Sequence, residues 1–333
     1  MNQIVDAIYT HTEGEPTCIV HRGIEWPRGD ILSKRRYIEK NYDWLRRALM
    51  REPRGHKDMF GVFVTPPHDP KAHYGMVWMD GGGYMHMCGH GTIGLVSAIV
   101  SEKWMPTSNS LLNICLESTA GIISAETLIE NDKAVWCKFE NVPAFVTEQA
   151  VPLEIPGHGT VYADIAFGGN FFALIRWESS QIQICPENGH HFRQLGEYAR
   201  VTLSRQLELK HPAKSHIADL YVVTFWHESE RPEARYRCVH VFANGQLDRS
   251  PGGTGTSAMM AMLEARGELQ IGETIHAEGL LGSGTFEGCL TKETTVFGTR
   301  AVIPTIRGSA HVTGHATWTI DHNDPVGLGF EVS

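Results

Sequence analysis

The sequence predicts a mixed α/β (α+β) protein assembled from two related halves, and three observations carry that prediction. At 333 residues the chain is longer than one compact domain usually grows. An order of amphipathic helix, strand, glycine-rich turn and apolar helix occurs at 32–104 and again at 191–269. Finally, MHMCGHGTIG (85–94) can be laid on RSPGGTGTSA (249–258). Cys88 then falls opposite Gly252, Gly89 opposite Gly253, Gly91 opposite Gly255 and Thr92 opposite Thr256. The boundaries expected are 1–128 plus 305–333 for the half with the Cys88 turn, and 129–304 for the half with the Gly252 turn.

Each element has its own signal. VDAIYTHTEGEPTCIVHRGI (5–24) alternates apolar and polar residues about a glycine-containing turn, the pattern of a β-hairpin. LSKRRYIEKNYDWLRRALM (32–50) spaces its Leu, Tyr, Ile and Trp residues helically, with basic residues on the other face. YGMVWMD (74–80) reads as a strand, and GTIGLVSAIVSEKW (91–104) as an apolar helix that starts directly after the Cys88 turn. LNICLE, AVWCKFE and VYADIAFGG are strand-like runs. HFRQLGEYARVTLSRQLEL (191–209) is amphipathic and helical, and the preceding GHH (189–191) reads as a surface turn. DLYVVTFWH and YRCVHVFANG are strands, and TSAMMAMLEARGEL (256–269) is a helix behind the second glycine-rich turn.

Composition narrows the class. Hydrophobic residues at 42% and charged residues at 20% describe a globular chain with ample core. A net charge of −9, with Lys and Arg scattered, argues against a nucleic-acid surface. No apolar run approaches the roughly 20 residues needed to cross a bilayer, and MNQIVDAIYTHTEGEP lacks the pattern of a secretion signal. The seven cysteines lie far apart with no CxxC pair, which suits reduced thiols. The expectation is a cytoplasmic enzyme acting on a small molecule, with neither nucleic acid nor membrane as partner.

The two turns carry the chemistry. A glycine-rich turn that opens a helix offers backbone N–H groups and the positive end of the helix dipole to an anion, and a carboxylate fits as well as a phosphate. A cysteine at such a point has its thiolate favoured over the thiol. Two turns of this kind facing each other would grip one carboxylate and place the α-carbon of an amino acid between positions 88 and 252, a geometry for proton abstraction. GGTGT does not fit the phosphate-loop pattern, since no Lys follows. His86, Cys88 and His90 could converge on a metal, but no second cluster completes a shell, so no metal is expected.

HTEGEP (11–16), EPRGHKDMFG (52–61), MDGGGYMHMCGHGTIG (79–94), DIAFGGNFFA (164–173), DRSPGGTGTSA (248–258) and GSAHVTGHATWTIDHNDP (308–325) occur in this order. Together they resemble the successive motifs of the proline racemase family over essentially the whole chain. The resemblance implies a diaminopimelate-epimerase-like fold: two pseudo-symmetric halves, each a sheet wrapped around a central helix, with the site in the cleft between them. It implies no cofactor, a proline or hydroxyproline substrate, and commonly a homodimer. It also assigns roles. Cys88 matches the first of two catalytic cysteines, while Gly252 stands where DRSPCGTG would supply the second. His90 and Asp248 match residues that contact the substrate amine and support catalysis. Gly89, His90, Gly253 and Thr254 match the donors that hold the carboxylate, and Phe60 and Phe242 the apolar walls around the pyrrolidine ring.

A missing second thiol bears on the reaction. Inversion at Cα needs a proton returned from the opposite face, and one acid/base group is commonly worth about 10²–10⁴ in rate. Elimination needs only one positioned base. The family's trans-3-hydroxy-L-proline dehydratases keep the first cysteine and typically have Thr at the second position. The leading expectation is therefore a cofactor-independent hydro-lyase that uses Cys88 to convert trans-3-hydroxy-L-proline to Δ1-pyrroline-2-carboxylate. The alternatives are an isomerase (a proline racemase or hydroxyproline 2-epimerase with an altered second base) and a non-catalytic binder of proline-type amino acids.

Overall fold

The computed structural model describes residues 2–106, 110–178 and 182–332. By contacts the chain separates into two compact units, Met1–Lys138 with Ser309–Ser333, and Phe139–Gly308. The first unit begins with β1 (Asn2–Thr12), β2 (Glu15–Arg22), α1 (Ile31–Asn41), α2 (Asp43–Met50), β3 (Phe60–Thr65) and β4 (Tyr74–Asp80). It continues through β5 (Tyr84–Met85), α3 (Gly89–Ser101), β6 (Leu111–Ser118), β7 (Gly121–Glu130) and most of β8 (Lys133–Glu140). The second unit holds β9 (Phe145–Ile155), β10 (Gly159–Phe167), β11 (Phe171–Arg176), α4 (Gly189–Gln206), β12 (Leu220–Glu228) and β13 (Tyr236–Phe242). It ends with β14 (Gln246–Asp248), α5 (Gly253–Ala265), β15 (Thr274–Glu278), β16 (Thr285–Val296) and β17 (Thr299–Gly308), after which β18 (His311–Asp321) rejoins the first unit.

Within the first unit β1 pairs antiparallel with β18 and β2, β2 runs parallel to β3, and β3 antiparallel to β4. β4 also pairs antiparallel with β5 and parallel with β6, which returns antiparallel to β7. The second unit repeats this order with β9, β10, β11, β12, β13, β14, β15 and β16 in the places of β18, β1, β2, β3, β4, β5, β6 and β7. The repeat seen in ten residues of sequence thus extends to these seven strand pairings in each unit.

Local chemistry sets the ends of the elements. The β1–β2 hairpin turns at Glu13 and Gly14, both at positive φ (48° and 83°), the backbone that matches a tight turn to the twist of its strands. Asp30 caps α1 by accepting a hydrogen bond from the Ser33 amide at 2.7 Å. The single helix expected over 32–50 is two, because Tyr42 leaves helical geometry (φ −133°) and closes α1 before α2 begins. Gly189–His191, read from sequence as a surface turn, form the first turn of α4. Gly189 is buried there, so this segment continues an amphipathic face.

The two central helices differ from the others in being buried on every side. Every residue of α3 from Gly89 to Val100 is buried, as is every residue of α5 from Gly253 to Leu263. α3 packs against β1, β2, β3, β7 and β18, and α5 against β9, β10, β11, β16 and β17. Among the described residues no helix is long and apolar enough to cross a membrane.

Such close helix–sheet packing requires glycine where backbones meet. A Cβ on Gly168, just past β10, would lie 2.2 Å from the Thr254 carbonyl oxygen and 2.7 Å from the Ala258 nitrogen of α5. Gly168→Ala is expected to lower stability by about 1–3 kcal/mol through overpacking, read as a lower urea midpoint. An unchanged midpoint would contradict the packing.

Candidate functional site

In the first unit, antiparallel β4 and β5 deliver the chain to Cys88, the residue that precedes α3. Its backbone is extended (φ −135°, ψ 115°), and its side chain makes no capping bond to the helix. Helix geometry leaves the amides of a first turn without partners inside the helix, and here that turn begins Gly89–His90–Gly91. Cys88 is buried, and its sulfur lies 3.6 and 3.5 Å from Nδ1 and Nε2 of His90. An imidazole N–H in that position can donate to a thiolate. Thr92 and Thr12 hold the turn: Thr92 Oγ1 donates to the Cys88 carbonyl at 2.7 Å, and Thr12 Oγ1 to the His90 carbonyl at 2.9 Å. The buried Phe60 ring stands edge-on to the His90 ring with centroids 4.8 Å apart. Phe60, Cys88, Gly89 and His90 therefore come together.

Gly91 is required in this packing. A Cβ there would lie 3.0 Å from the Cys88 sulfur and 2.5 Å from Cζ3 of the buried Trp78. His86 points to other partners, with its Nδ1 2.9 Å from Arg35 Nη1 and 3.0 Å from Thr119 Oγ1. Among the described residues no group of three or more His, Cys, Asp or Glu is placed to hold a metal ion.

In the second unit, β13 and β14 pair His240 with Asp248 and Phe242 with Gln246 before the chain reaches Gly252. Asp248 is buried and its Oδ1 accepts the Ser250 amide at 2.8 Å. Ser250 Oγ in turn accepts the Gly252 amide at 3.1 Å. These bonds shape the turn, a use of Asp common at such places. Gly252 precedes α5 with φ 72° and ψ 106°, the left-handed side of the map where glycine is favoured. Gly252, Gly253, Thr254 and Asp248 therefore cluster at the start of α5. Phe242 lies two residues beyond His240 in β13, buried and edge-on to Tyr221 at 6.1 Å.

Sequence reasoning missed His240 and Cys238. His240 is fully buried in β13, with Nδ1 2.7 Å from Thr224 Oγ1 and Nε2 2.8 Å from the Pro251 carbonyl oxygen. A carbonyl can only accept, so Nε2 carries a hydrogen toward it, and in the neutral ring Thr224 donates to Nδ1. The Cys238 sulfur lies 3.4 Å from His240 Nε2 and donates to the carbonyls of Pro251 and Glu278, each at 3.5 Å. Burial first, then the charges of Asp248 and Glu278, push the Cys238 thiol well above its ordinary range, so it stays protonated. The available signal was the Cys-x-His spacing in YRCVHVF, which repeats that of Cys88 and His90.

The His240 ring lies against the bare α-carbon of residue 252. A Cβ on Gly252 would fall 2.3 Å from Nε2 and 2.4 Å from Cδ2 of that ring. Gly252→Ala should therefore cost about 1–3 kcal/mol, from positive φ together with the clash. Part of that cost should disappear in a His240→Ala background, measured as a coupling energy in urea unfolding. Equal costs in both backgrounds would contradict the contact.

Comparison with known proteins places these turns in context. The family model described as "Proline racemase" matches residues 7–331. A 4-hydroxyproline 2-epimerase of Cereibacter sphaeroides is 50% identical over 334 residues, covering 100% of this chain and 99% of that protein. A proline racemase of Clostridioides difficile is 43% identical over 327 residues, covering 98% and 97% respectively. Among solved structures, a hydroxyproline epimerase from Agrobacterium vitis with bound trans-4-OH-L-proline superposes with a TM-score of 0.93 at 26% identity, covering 99% of this chain and 95% of that one.

Proposed function

Because the chain belongs to the proline racemase family and has the diaminopimelate-epimerase-like fold, we propose that it inverts the α-carbon of a proline-type amino acid, hydroxyproline or proline. The observation that carries this reading is Cys88, uncapped at the start of a buried helix with its sulfur against the His90 ring. In this reading the Cys88 thiolate removes the Cα proton. The electron pair left behind spreads into the carboxylate, whose growing charge is met by Gly89 and His90 on α3 and by Gly253 and Thr254 on α5. Donors fixed in advance at such a point stabilise a developing anion without reorganisation. His90 and Asp248 take the substrate amine, and Phe60 and Phe242 form the apolar walls for the ring.

Elimination, which the absent sulfur at 252 put first on sequence grounds, becomes the second reading. The relatives at 50% and 43% identity bear the names of an epimerase and a racemase, which supports inversion. One observation still favours elimination: Gly252 has no group that can return a proton.

With trans-4-hydroxy-L-proline or L-proline in D₂O, the enzyme should exchange the Cα proton and form the opposite Cα configuration, followed by NMR and chiral chromatography. Cys88→Ser should lower both by about 10²–10⁴; exchange that survives Cys88→Ala would contradict the assignment of the base. With trans-3-hydroxy-L-proline, Δ1-pyrroline-2-carboxylate should stay at the level of the Cys88→Ala control when assayed with o-aminobenzaldehyde. Rapid, Cys88-dependent formation of that product would favour the second reading.

A further inference from the structure

We infer that Arg35 of α1 is a positioning residue for Cys88 and acts through His86. The inference rests on the reading above in taking Cys88 as the base, and it names what holds that base in place.

The basic residues within 32–50 have no role in the chemistry proposed so far, yet part of that face turns inward. Arg46 of α2 is buried, and its Nη1 donates to the carbonyls of Asp80 and Gly81 at 2.8 and 2.9 Å. Asp43 holds the same guanidinium at Nε, 2.7 Å away, and Arg51 Nη2 adds a bond to the Gly81 carbonyl at 3.1 Å. Asp80 Oδ1 closes the turn from within by accepting the amides of Gly82 and Gly83, each at 2.7 Å. The turn between β4 and β5 is therefore fixed from α2 before the chain reaches the thiol.

Arg35 carries the hold further. Strand pairing with β4 covers Tyr84 and Met85. There Arg35 Nη2 donates to the Tyr84 carbonyl at 3.2 Å, and Nη1 lies 2.9 Å from Nδ1 of the buried His86. A guanidinium can only donate, so Nδ1 is an acceptor and the neutral ring carries its hydrogen on Nε2. Glu39 fixes the guanidinium at Nε, 2.7 Å away. Thr119, between β6 and β7, donates to the His86 carbonyl at 3.4 Å. His86 is thus tied by ring and backbone two residues before Cys88. On the other side of the thiol, Thr92 and Thr12 hold the carbonyls of Cys88 and His90. Cys88 stands on a short span anchored at both ends, as a reacting group that must be placed within roughly 0.5 Å requires.

The second unit repeats the device. α4 precedes β12 as α1 and α2 precede β3, and Arg193 of α4 donates to the Gly245 carbonyl at 2.7 Å. Gly245 lies between β13 and β14, the counterparts of β4 and β5. In both halves an arginine of the amphipathic helix grips the turn ahead of the buried helix, which gives that helix its place in the repeat. In the half with the thiol the grip extends to His86.

The test measures Cα exchange of L-proline and trans-4-hydroxy-L-proline in D₂O by wild type, Arg35→Met, His86→Leu and His86→Asn. Thermal melts and amide hydrogen exchange by mass spectrometry accompany each protein. Arg35→Met and His86→Leu should lower kcat by about 10- to 10²-fold with KM little changed, in proteins that melt close to wild type. Peptides spanning 80–92 should take up deuterium faster, while those of α5 keep the wild-type rate. His86→Asn, whose amide oxygen can accept from Arg35 in place of Nδ1, should recover most of the kcat lost in His86→Leu. Wild-type kcat in both Arg35→Met and His86→Leu would overturn the proposal. So would an Asn variant as slow as the Leu variant. A fall in kcat that comes with a lowered melt and faster uptake throughout the first unit would also overturn it, because Arg35 would then be structural. If the wild-type enzyme exchanges no Cα proton, the inversion reading fails by itself. Uptake across 80–92 then decides the inference, which unchanged uptake in Arg35→Met would overturn and faster uptake would uphold.

Discussion

The volume beside the α-carbon of residue 252 can hold a side chain at 252 or the ring of His240, but not both. A Cβ there would lie 2.3 Å from Nε2, well inside any permissible contact. The ring cannot simply step aside, because it is buried and held at both nitrogens, by Thr224 and by the Pro251 carbonyl. The turn has adapted to this. Asp248 and Ser250 pass a chain of hydrogen bonds to the Gly252 amide, and Gly252 takes a φ that other residues rarely adopt. α5 begins directly from that turn, so the start of a helix buried on every side is tied to the exchange of a side chain for a histidine.

The first unit meets the same problem with a different occupant. There the sulfur of Cys88 fills the space beside the helix start, and Gly91 yields room to it and to Trp78. The two turns share their strand order, their uncapped helix starts and their glycine one turn in. They differ in what fills the space beside the residue before the helix, the Cys88 sulfur in one and the His240 ring in the other.

Much of this was legible in the sequence. The repeat of turn and apolar helix follows from glycine spacing and unbroken apolar runs, and so does the place of Cys88 directly ahead of a helix. The helix over 32–50 was read as continuous because its apolar spacing runs through Tyr42, where a local change in φ ends α1. Gly189–His191 looked like a turn because glycine and two histidines are polar-looking residues, yet a buried Gly189 starts α4 there. His240 was invisible for a more general reason. YRCVHVF reads as a buried strand, and a histidine in such a strand is ordinarily a satisfied core residue. Only strand pairing, which sets His240 opposite Asp248, brings it to the Gly252 turn. Position 252 has no titratable side chain, and that absence pointed toward elimination.

The central claim is that Cys88 is the base that removes the Cα proton of a proline-type amino acid. Its most direct measurement is the exchange of the Cα proton of L-proline or trans-4-hydroxy-L-proline in D₂O, compared between wild type and Cys88→Ala. The account predicts deuterium at Cα with the wild type and exchange lower by about 10²–10⁴ with Cys88→Ala. Exchange at the wild-type rate in a folded Cys88→Ala variant would contradict the account.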